Sequence, residues 1–244
     1  MTIDASVLRD LAPRGHVRVA INYGNAALAL RDAATGEPSG ISIAMARALG
    51  EHLGVPVELV AYDAAGKVTD ALGQDAWDVA FLAVDPVRAE RLAFSPAYVQ
   101  IAACYMVHGD SPLHRSADVD APGRTVAVGK GAAYDLHLTR TLKHATIERR
   151  PTAAEAFALF ESTPLDAAGG VRRVIERYAA TRPHLRVMTD NFLAIDQALC
   201  LPRGRDAGAD YLHTFVEQMK RSGFVADELS KAGKQDIAVA PPAA

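Results

Sequence analysis

WDVAFLAVDPVRAERLAFSPAY, residues 77–98, places an apolar run directly before a short charged segment and a second β-rich run. Residues 77–84 are almost wholly apolar, which indicates a strand that is buried on both faces, as in a parallel sheet. Asp85 and Arg88 follow at the carboxyl end of that strand. This stretch therefore predicts a strand of a parallel sheet whose carboxyl end is marked by Asp85 and Arg88.

Short β-rich runs alternate with helical runs on the amino-terminal side of this stretch. Residues 16–23 (HVRVAINY) alternate apolar and polar positions, which indicates a strand. Ser42 is the predicted N-cap of a helix that ends at Gly54, and residues 55–62 form the next predicted strand. The first hundred residues therefore predict β-α-β-α-β and a doubly wound sheet.

The same alternation resumes on the carboxyl-terminal side. Residues 125–128 and 165–168 are predicted strands, and residues 133–143 and 171–180 are predicted helices. The clearest helical periodicity lies near the end of the chain, with apolar residues at spacing i, i+3, i+4 and i+7: Leu212, Phe215, Val216 and Met219. The whole chain is therefore predicted to be α/β.

The opening stretch resembles the signature region of the bacterial extracellular solute-binding proteins of family 3, the polar amino acid group with the type II periplasmic fold. The residues that carry this resemblance are Asp78, Arg88, Phe94, Ser95, Pro96 and Tyr98. Three further segments resemble the family in the same order: HVRVAINYGNAALAL (16–30), GEPSGISIAMARALGEHLGVPVELV (36–60) and TVAVGKGAAYD (125–135).

The resemblance implies two α/β lobes, each with a doubly wound sheet. Lobe 1 would comprise residues 1–100 plus 203–244, and lobe 2 residues 101–202. Two crossover segments, near residues 98–104 and 196–203, would join them. The ligand would lie in the cleft between the lobes, in agreement with the position of Arg88 past a strand end.

Several ligand positions depart from the family pattern. Where the amino acid binders carry hydroxyl residues after the third strand, this chain has Phe81 and Ala83. Ala132 replaces the Ser or Thr of the second lobe, and Asn25 replaces the aromatic lid. Val171 stands near the position of the acidic residue that holds an α-ammonium group. The resemblance therefore implies a carboxylate clamp without its α-amino partner.

Arg88 is the leading candidate for ligand binding, because a guanidinium group matches a carboxylate with two parallel hydrogen bonds. The alternative is a surface arginine paired along its helix with Asp85 or Glu90. Asp85 itself would receive a ligand amine or orient Arg88. Asn25 would contact the ligand or only shape its turn. Lys67, at a predicted helix start, would reinforce an anion site or stay solvated.

Residues 129–134 (GKGAAY) follow a predicted strand and open a helix. Lys130, Gly131 and Ala132 are predicted to offer backbone amides to the anionic end of the ligand. Tyr134 would close the cleft or pack in the core. A dinucleotide-binding fingerprint would need a third glycine where Tyr134 stands, so no nucleotide cofactor is predicted.

Composition excludes several classes of partner. The net charge is −3 and Lys and Arg are scattered, which argues against a nucleic acid partner. No segment is apolar for long enough to cross a membrane. The eight histidines lack metal-ligand spacing, so no metal site is predicted. Cys104 and Cys200 lie in apolar runs and are predicted to be buried, reduced thiols.

These observations predict a hinge-bending binding protein for a small anionic or zwitterionic, carboxylate-bearing metabolite, either amino-acid-like or an organic acid. Residues 1–14 (MTIDASVLRDLAPR) show no signal-peptide pattern. We therefore expect a cytoplasmic solute sensor as the sequence stands, or a periplasmic protein serving an ABC permease if an export sequence was removed. A monomer is expected.

Two alternatives use the same fold. A cleft enzyme, such as a prephenate- or arogenate-type dehydratase, would need Asp85 or Asp166 as a general acid with a pKa raised by burial. The effector domain of a regulator would need a DNA-binding domain, and the sequence shows no such segment. No motif demands either alternative, so the chain is predicted not to be an enzyme.

Overall fold

The computed structural model describes residues 3–243. Met1, Thr2 and Ala244, which the sequence assigns to lobe 1, lie outside the described residues. The strands, in chain order, are β1 (Val17–Asn22), β2 (Leu30–Arg31), β3 (Pro38–Ser39), β4 (Val57–Tyr62), β5 (Val79–Ala83), β6 (Leu92–His108), β7 (Thr125–Gly129), β8 (Thr146–Arg150), β9 (Ala167–Val171), β10 (Leu185–Val187), β11 (Leu193–Pro202) and β12 (Ala238–Val239).

The α-helices are α1 (Ala5–Leu11), α2 (Ile41–Leu53), α3 (Ala65–Asp70), α4 (Pro86–Ala89), α5 (Ala133–Thr141), α6 (Ala153–Ser162), α7 (Arg172–Ala179), α8 (Asp206–Arg221) and α9 (Phe224–Lys231). A short 3₁₀ helix spans Ser116–Val119. Strands and helices alternate along most of the chain, which confirms the predicted α/β class.

Two groups of parallel strands form the two ends of the main sheet. In the first parallel group, β1 pairs with β4 on one side and β5 on the other. In the second parallel group, β7 pairs with β8 and β9 in the same way. The long antiparallel strands β6 and β11 lie between the groups, in the order β4-β1-β5-β11-β6-β9-β7-β8. The strand ends of both groups therefore meet near the middle of the molecule.

The crossing strands are longer than the sequence predicts. β6 has 17 residues, and β11 pairs with it from Leu193 opposite Ala103 to Pro202 opposite Leu92. The pairing therefore extends from one parallel group to the other, with shifts in register between Gln197 and Ala198 and between Ala198 and Cys200. The second half of β6 also pairs with β9 and β10. The length follows from these distant partners and not from any local pattern.

The start of α2 corrects one prediction. Gly40, and not Ser42, is the N-cap, with φ at 106°. A Cβ atom at position 40 would lie only 2.4 Å from the Leu28 carbonyl oxygen, so the chain can approach Leu28 only with glycine there. Ser42 lies inside the helix, buried, with its hydroxyl 3.2 Å from that of Tyr98. Gly54 ends the helix in a left-handed conformation, as predicted.

Asp78, in the opening stretch, stabilises the sheet and is fully buried. Its carboxylate accepts hydrogen bonds from the Arg18 backbone N–H and from the Arg18 guanidinium. This pair links the start of β1 to the start of β5.

Cys104 and Cys200 are buried free thiols, as predicted, and burial raises the pKa of both to about 12. None of the helices between residues 3 and 243 has the length and apolar character needed to cross a bilayer.

Candidate functional site

A cavity of about 70 Å³ lies where the two parallel groups face each other. The last residues of four parallel strands line it: Asn22 of β1, Ala83 of β5, Gly129 of β7 and Val171 of β9. This is the place where open α/β sheets bind their ligands. The topology therefore builds the cavity out of both halves of the chain.

Most of the lining is apolar, and few polar side chains interrupt it. The apolar side chains in the lining are Leu28, Ala64, Ala65, Phe81, Leu82, Ala83, Ala132, Ala133, Ala153, Val171, Val174 and Ile195. The polar and charged ones are Asn22, Asn25, Ser42, Asp63, Arg88, Lys130, Tyr134 and Gln197. Such a wall accommodates a small molecule with an apolar body and one polar end.

Arg88 is the charged group inside the cavity and is only 5% exposed. Its Nη1 donates to the Ala83 carbonyl oxygen at 2.9 Å, and its Nη2 donates to the Gly131 carbonyl oxygen at 2.8 Å. The guanidinium thus spans from the end of β5 to the loop after β7. Its Nε is buried and, in the part of the chain that the structure describes, has no hydrogen-bond partner.

Burial lowers the pKa of Arg88, and no carboxylate in residues 3–243 is hydrogen-bonded to its guanidinium group. The neighbouring Asp85 is bound elsewhere: its side chain accepts from the Val87 N–H at 2.9 Å and from Arg140 at 2.8 Å. A buried guanidinium held only by carbonyl oxygens is electrically unbalanced. The cavity is therefore suited to an anion.

The amino-terminal end of α5 adds backbone donors to the same wall. Ala132 is the N-cap of α5 and makes no side-chain cap, and both Ala132 and Ala133 line the cavity. The first N–H groups of a helix have no acceptor within the helix, so they remain free to bind an anion. The Arg88–Gly131 bond brings the guanidinium to this helix end.

Asn22 and Asn25 line the cavity and also shape the turn after β1. The Asn22 side-chain oxygen accepts from the Gly24 N–H at 3.0 Å, and that of Asn25 accepts from the Ala27 N–H at 3.3 Å. The structure thus supports the turn-shaping role and places both amide groups at the cavity.

The structure brings together five of the predicted site residues in the cavity wall: Arg88, Asn25, Lys130, Ala132 and Tyr134. Three others lie beside it. Gly131 takes part through its carbonyl bond to Arg88, Asp85 through its ion pair with Arg140, and Lys67 binds Asp63 at 2.8 Å.

Tyr134 is buried against the end of β7. A Cβ atom at Gly129 would lie 3.0 Å from the Tyr134 hydroxyl oxygen, so the close packing depends on glycine there. Burial raises the pKa of Tyr134. In this structure the ring forms part of the cavity wall.

Asp166 lies away from the cavity, at the opposite end of β9. Its carboxylate binds the Arg124 side chain and accepts the Thr125 N–H at 2.8 Å. Asp166 therefore holds the start of β7 next to β9 and is not placed to act in the cavity. No group of three or more His, Cys, Asp or Glu side chains in residues 3–243 is placed to hold a metal ion.

Sequence reasoning missed Gln197 and assigned Ser42 another role, yet both line the cavity. Gln197 is only 6% exposed and lies within the apolar strand β11. A polar residue in an otherwise buried strand was the available signal, because such a group needs a partner. Asp63, which directly follows β4, was also missed, because it belongs to none of the motifs in the sequence.

The family model for bacterial extracellular solute-binding proteins, family 3, matches residues 17–234. The chain belongs to this family. No curated protein matches the sequence. The cavity between the two parallel groups is thus found in a family defined by solute binding.

Several solved structures of amino-acid-binding proteins share the fold of this chain at low sequence identity. The cysteine-binding protein from Campylobacter jejuni is 18% identical, with a TM-score of 0.82 over 96% of this chain and 99% of that one. AbpA, an amino acid ABC transporter substrate-binding protein from Streptococcus pneumoniae bound to L-arginine, is 19% identical, with a TM-score of 0.78 over 92% and 97%.

A third neighbour is an ancestral amino acid-binding protein, AncCDT-1, described as a precursor of cyclohexadienyl dehydratase. It is 24% identical, with a TM-score of 0.76 over 92% of this chain and 98% of that one. These similarities establish the two-lobed type II periplasmic-binding-protein fold and confirm the fold predicted from the sequence.

Proposed function

We propose that this family member binds a small carboxylate-bearing metabolite in the cavity, with Arg88 as the group that holds the carboxylate. The observation that carries the proposal is the buried guanidinium with an unpartnered Nε. A charge removed from water is stable only beside an opposite charge, and the surrounding protein gives Arg88 only carbonyl oxygens.

A bound carboxylate would complete this arrangement. One of its oxygens would accept from the Arg88 guanidinium, and the other would accept from the uncapped N–H groups of α5. Arg88 belongs to the first half of the chain, and α5 belongs to the second half. Ligand binding would therefore stabilise the closed arrangement of the two halves.

We assign residues 1–100 plus 203–244 to lobe 1 and residues 101–202 to lobe 2, as the sequence predicts. β6 and β11 would carry the hinge, because both cross between the parallel groups. The proposed role is that of a monomeric solute-binding component that delivers its ligand to an ABC permease.

The dehydratase alternative finds no support at the cavity. Asp85 is occupied by Arg140 and the Val87 N–H, and Asp166 lies at the far end of its strand. Neither is among the cavity-lining residues. We therefore do not propose catalysis.

Calorimetry with a panel of small carboxylates, each beside its carboxamide, tests the proposal. The carboxylates should bind and the carboxamides should not. Arg88→Ala should weaken carboxylate binding by about 30-fold to several thousand-fold, the effect of removing one partner from a buried charge pair. Arg88→Lys should recover little, because a single ammonium group cannot keep both the bond to Ala83 and the bond to Gly131 and still donate to the ligand.

Arg91→Ala is the matched control, since the Arg91 side chain is exposed, lies outside the cavity lining and donates to the Leu72 carbonyl oxygen at 3.3 Å. Its affinity should equal that of the unmodified protein. Unchanged affinity in Arg88→Ala, or equal binding of the carboxamides, would contradict the proposal.

A further inference from the structure

Ionised groups at the cavity are few and unevenly placed. Arg88 is buried within it, whereas Lys130 is exposed at its edge. Asp63 is the carboxylate among the described lining residues, and its side chain is 61% exposed and bound to Lys67. The interior of the cavity therefore holds a positive charge and no negative one.

Several neutral acceptors around the cavity are already occupied. The Ala83 and Gly131 carbonyl oxygens accept from Arg88. The amide oxygens of Asn22 and Asn25 accept from turn N–H groups. The Ser42 hydroxyl is paired with Tyr98. Gln197 also lines the cavity, but its amide is neutral, so an ammonium group entering this cavity would find no buried carboxylate among the described lining residues.

Charge balance separates two kinds of ligand. A monocarboxylate neutralises Arg88 and leaves the closed cavity without net charge. A zwitterionic amino acid brings an additional ammonium group, so one positive charge stays buried without a counter-ion. Leaving a buried charge unpaired is among the most costly events in binding.

The cavity favours a small ligand. Its volume of about 70 Å³ is below that of a buried cavity that holds benzene, roughly 150 Å³, so a ligand with a body of only a few carbon atoms fits it best. Leu28, Phe81, Leu82, Val174 and Ile195 provide an apolar surface for the body of the ligand.

We propose that the ligand is a short, amine-free monocarboxylate with an apolar body, and that the cavity excludes the corresponding α-amino acid. This inference rests on the proposed carboxylate-binding function and names the ligand class of that same site.

The test compares acids that differ only by the ammonium group. Propanoate is paired with alanine, and butanoate with 2-aminobutanoate, and calorimetry measures each dissociation constant. The dissociation constant of each amine-free acid should be at least roughly 30-fold lower than that of its amino acid, which is the penalty expected for one unpaired buried charge.

A second arm changes the wall itself. Val171 lines the cavity and is the N-cap of α7, with no side-chain cap. Val171→Asp would add a carboxylate there, and Asp is favourable at an N-cap, so the fold should tolerate it. Val171→Asp should shift the preference toward the amino acids. Val171→Asn, of the same shape and also a good N-cap, should not.

The outcomes are distinct. The inference is supported if the unmodified protein and Val171→Asn both prefer the amine-free acids and only Val171→Asp shifts that preference toward the amino acids. Equal or tighter binding of the amino acids by the unmodified protein overturns it and leaves the proposed function intact. Failure of all four probes to bind also overturns it, and the broader comparison of carboxylates with carboxamides then decides the proposed function separately.

Discussion

At the scale of single residues, the opening stretch contains both structural and ligand-facing positions. Asp78 binds Arg18 at the start of the sheet. The Ser95 hydroxyl accepts the Leu199 N–H at 3.1 Å and so links the two crossing strands beside a shift in their register. These residues stabilise the frame, whereas Arg88 lines the cavity and has a buried Nε without a hydrogen-bond partner among the described residues.

Gly66 packs so closely against the other half of the chain that even a methyl group does not fit between them. It lies in α3 and faces the loop after β7, where an added Cβ would be 2.5 Å from the Lys130 carbonyl oxygen. Gly66→Ala should therefore prevent the two halves from closing to this distance. Overpacking of this kind costs about 1–3 kcal/mol, so carboxylate affinity should fall on the order of tenfold.

Calorimetry measures that loss, and a melting curve without ligand is the control for Gly66→Ala. The apo protein should stay as stable or become slightly more stable, because Ala favours a helix over Gly. Unchanged affinity would show that closure does not bring α3 against Lys130.

At the scale of elements, one carboxylate organises the connection between α5 and β8. Asp120 accepts backbone N–H groups from Lys143, His144 and Ala145, at 2.8–3.1 Å. The hydrogen bonds from Ala145, Lys143 and His144 lower the pKa of Asp120 to about 2. Since the pKa is lower in the folded state than in the unfolded chain, the ionised group favours folding.

The pH dependence of stability follows from this shift. The contribution of Asp120 is present above about pH 4, the ordinary value for aspartate, and is lost as the pH falls through about 2. Urea unfolding should show Asp120→Asn less stable than the unmodified protein at pH 5, with the difference shrinking toward pH 2. Asp110→Asn, at an exposed turn residue, is the control and should show no such difference.

At the scale of the whole molecule, contacts across the cavity hold the two halves together. Arg140, in α5, binds Asp85, which caps α4 on the other side, at 2.8 Å. Asp85 is buried although Arg140 is 40% exposed. Losing Arg140 would leave a buried carboxylate without its cation in the closed form, which is costly.

Arg140→Gln should therefore weaken carboxylate binding about tenfold, mainly through faster dissociation, because opening becomes easier. Stopped-flow kinetics measure the rate. Arg182→Gln is a matched control, since Arg182 pairs with Glu161 within the second half of the chain. An unchanged dissociation rate in Arg140→Gln would show that this ion pair does not restrain opening.

Local patterns along the chain determined the α/β class, the buried parallel strands and the position of Arg88. Periodicity records which faces of a segment are buried, and charged residues after an apolar strand mark its carboxyl end. These signals need no knowledge of distant neighbours. The resemblance to family 3 then pointed to Arg88 and to four further residues that line the cavity: Asn25, Lys130, Ala132 and Tyr134.

Only the tertiary structure decided how the distant segments meet. Arg88 donates to Gly131, and Gln197 lies opposite Ala83 in the sheet. Gly40 is required by Leu28 and not by its own helix. Each of these contacts joins segments that are far apart in the chain, so no local sequence pattern encodes it. The charge imbalance and the small volume of the cavity likewise exist only once both halves of the chain are assembled.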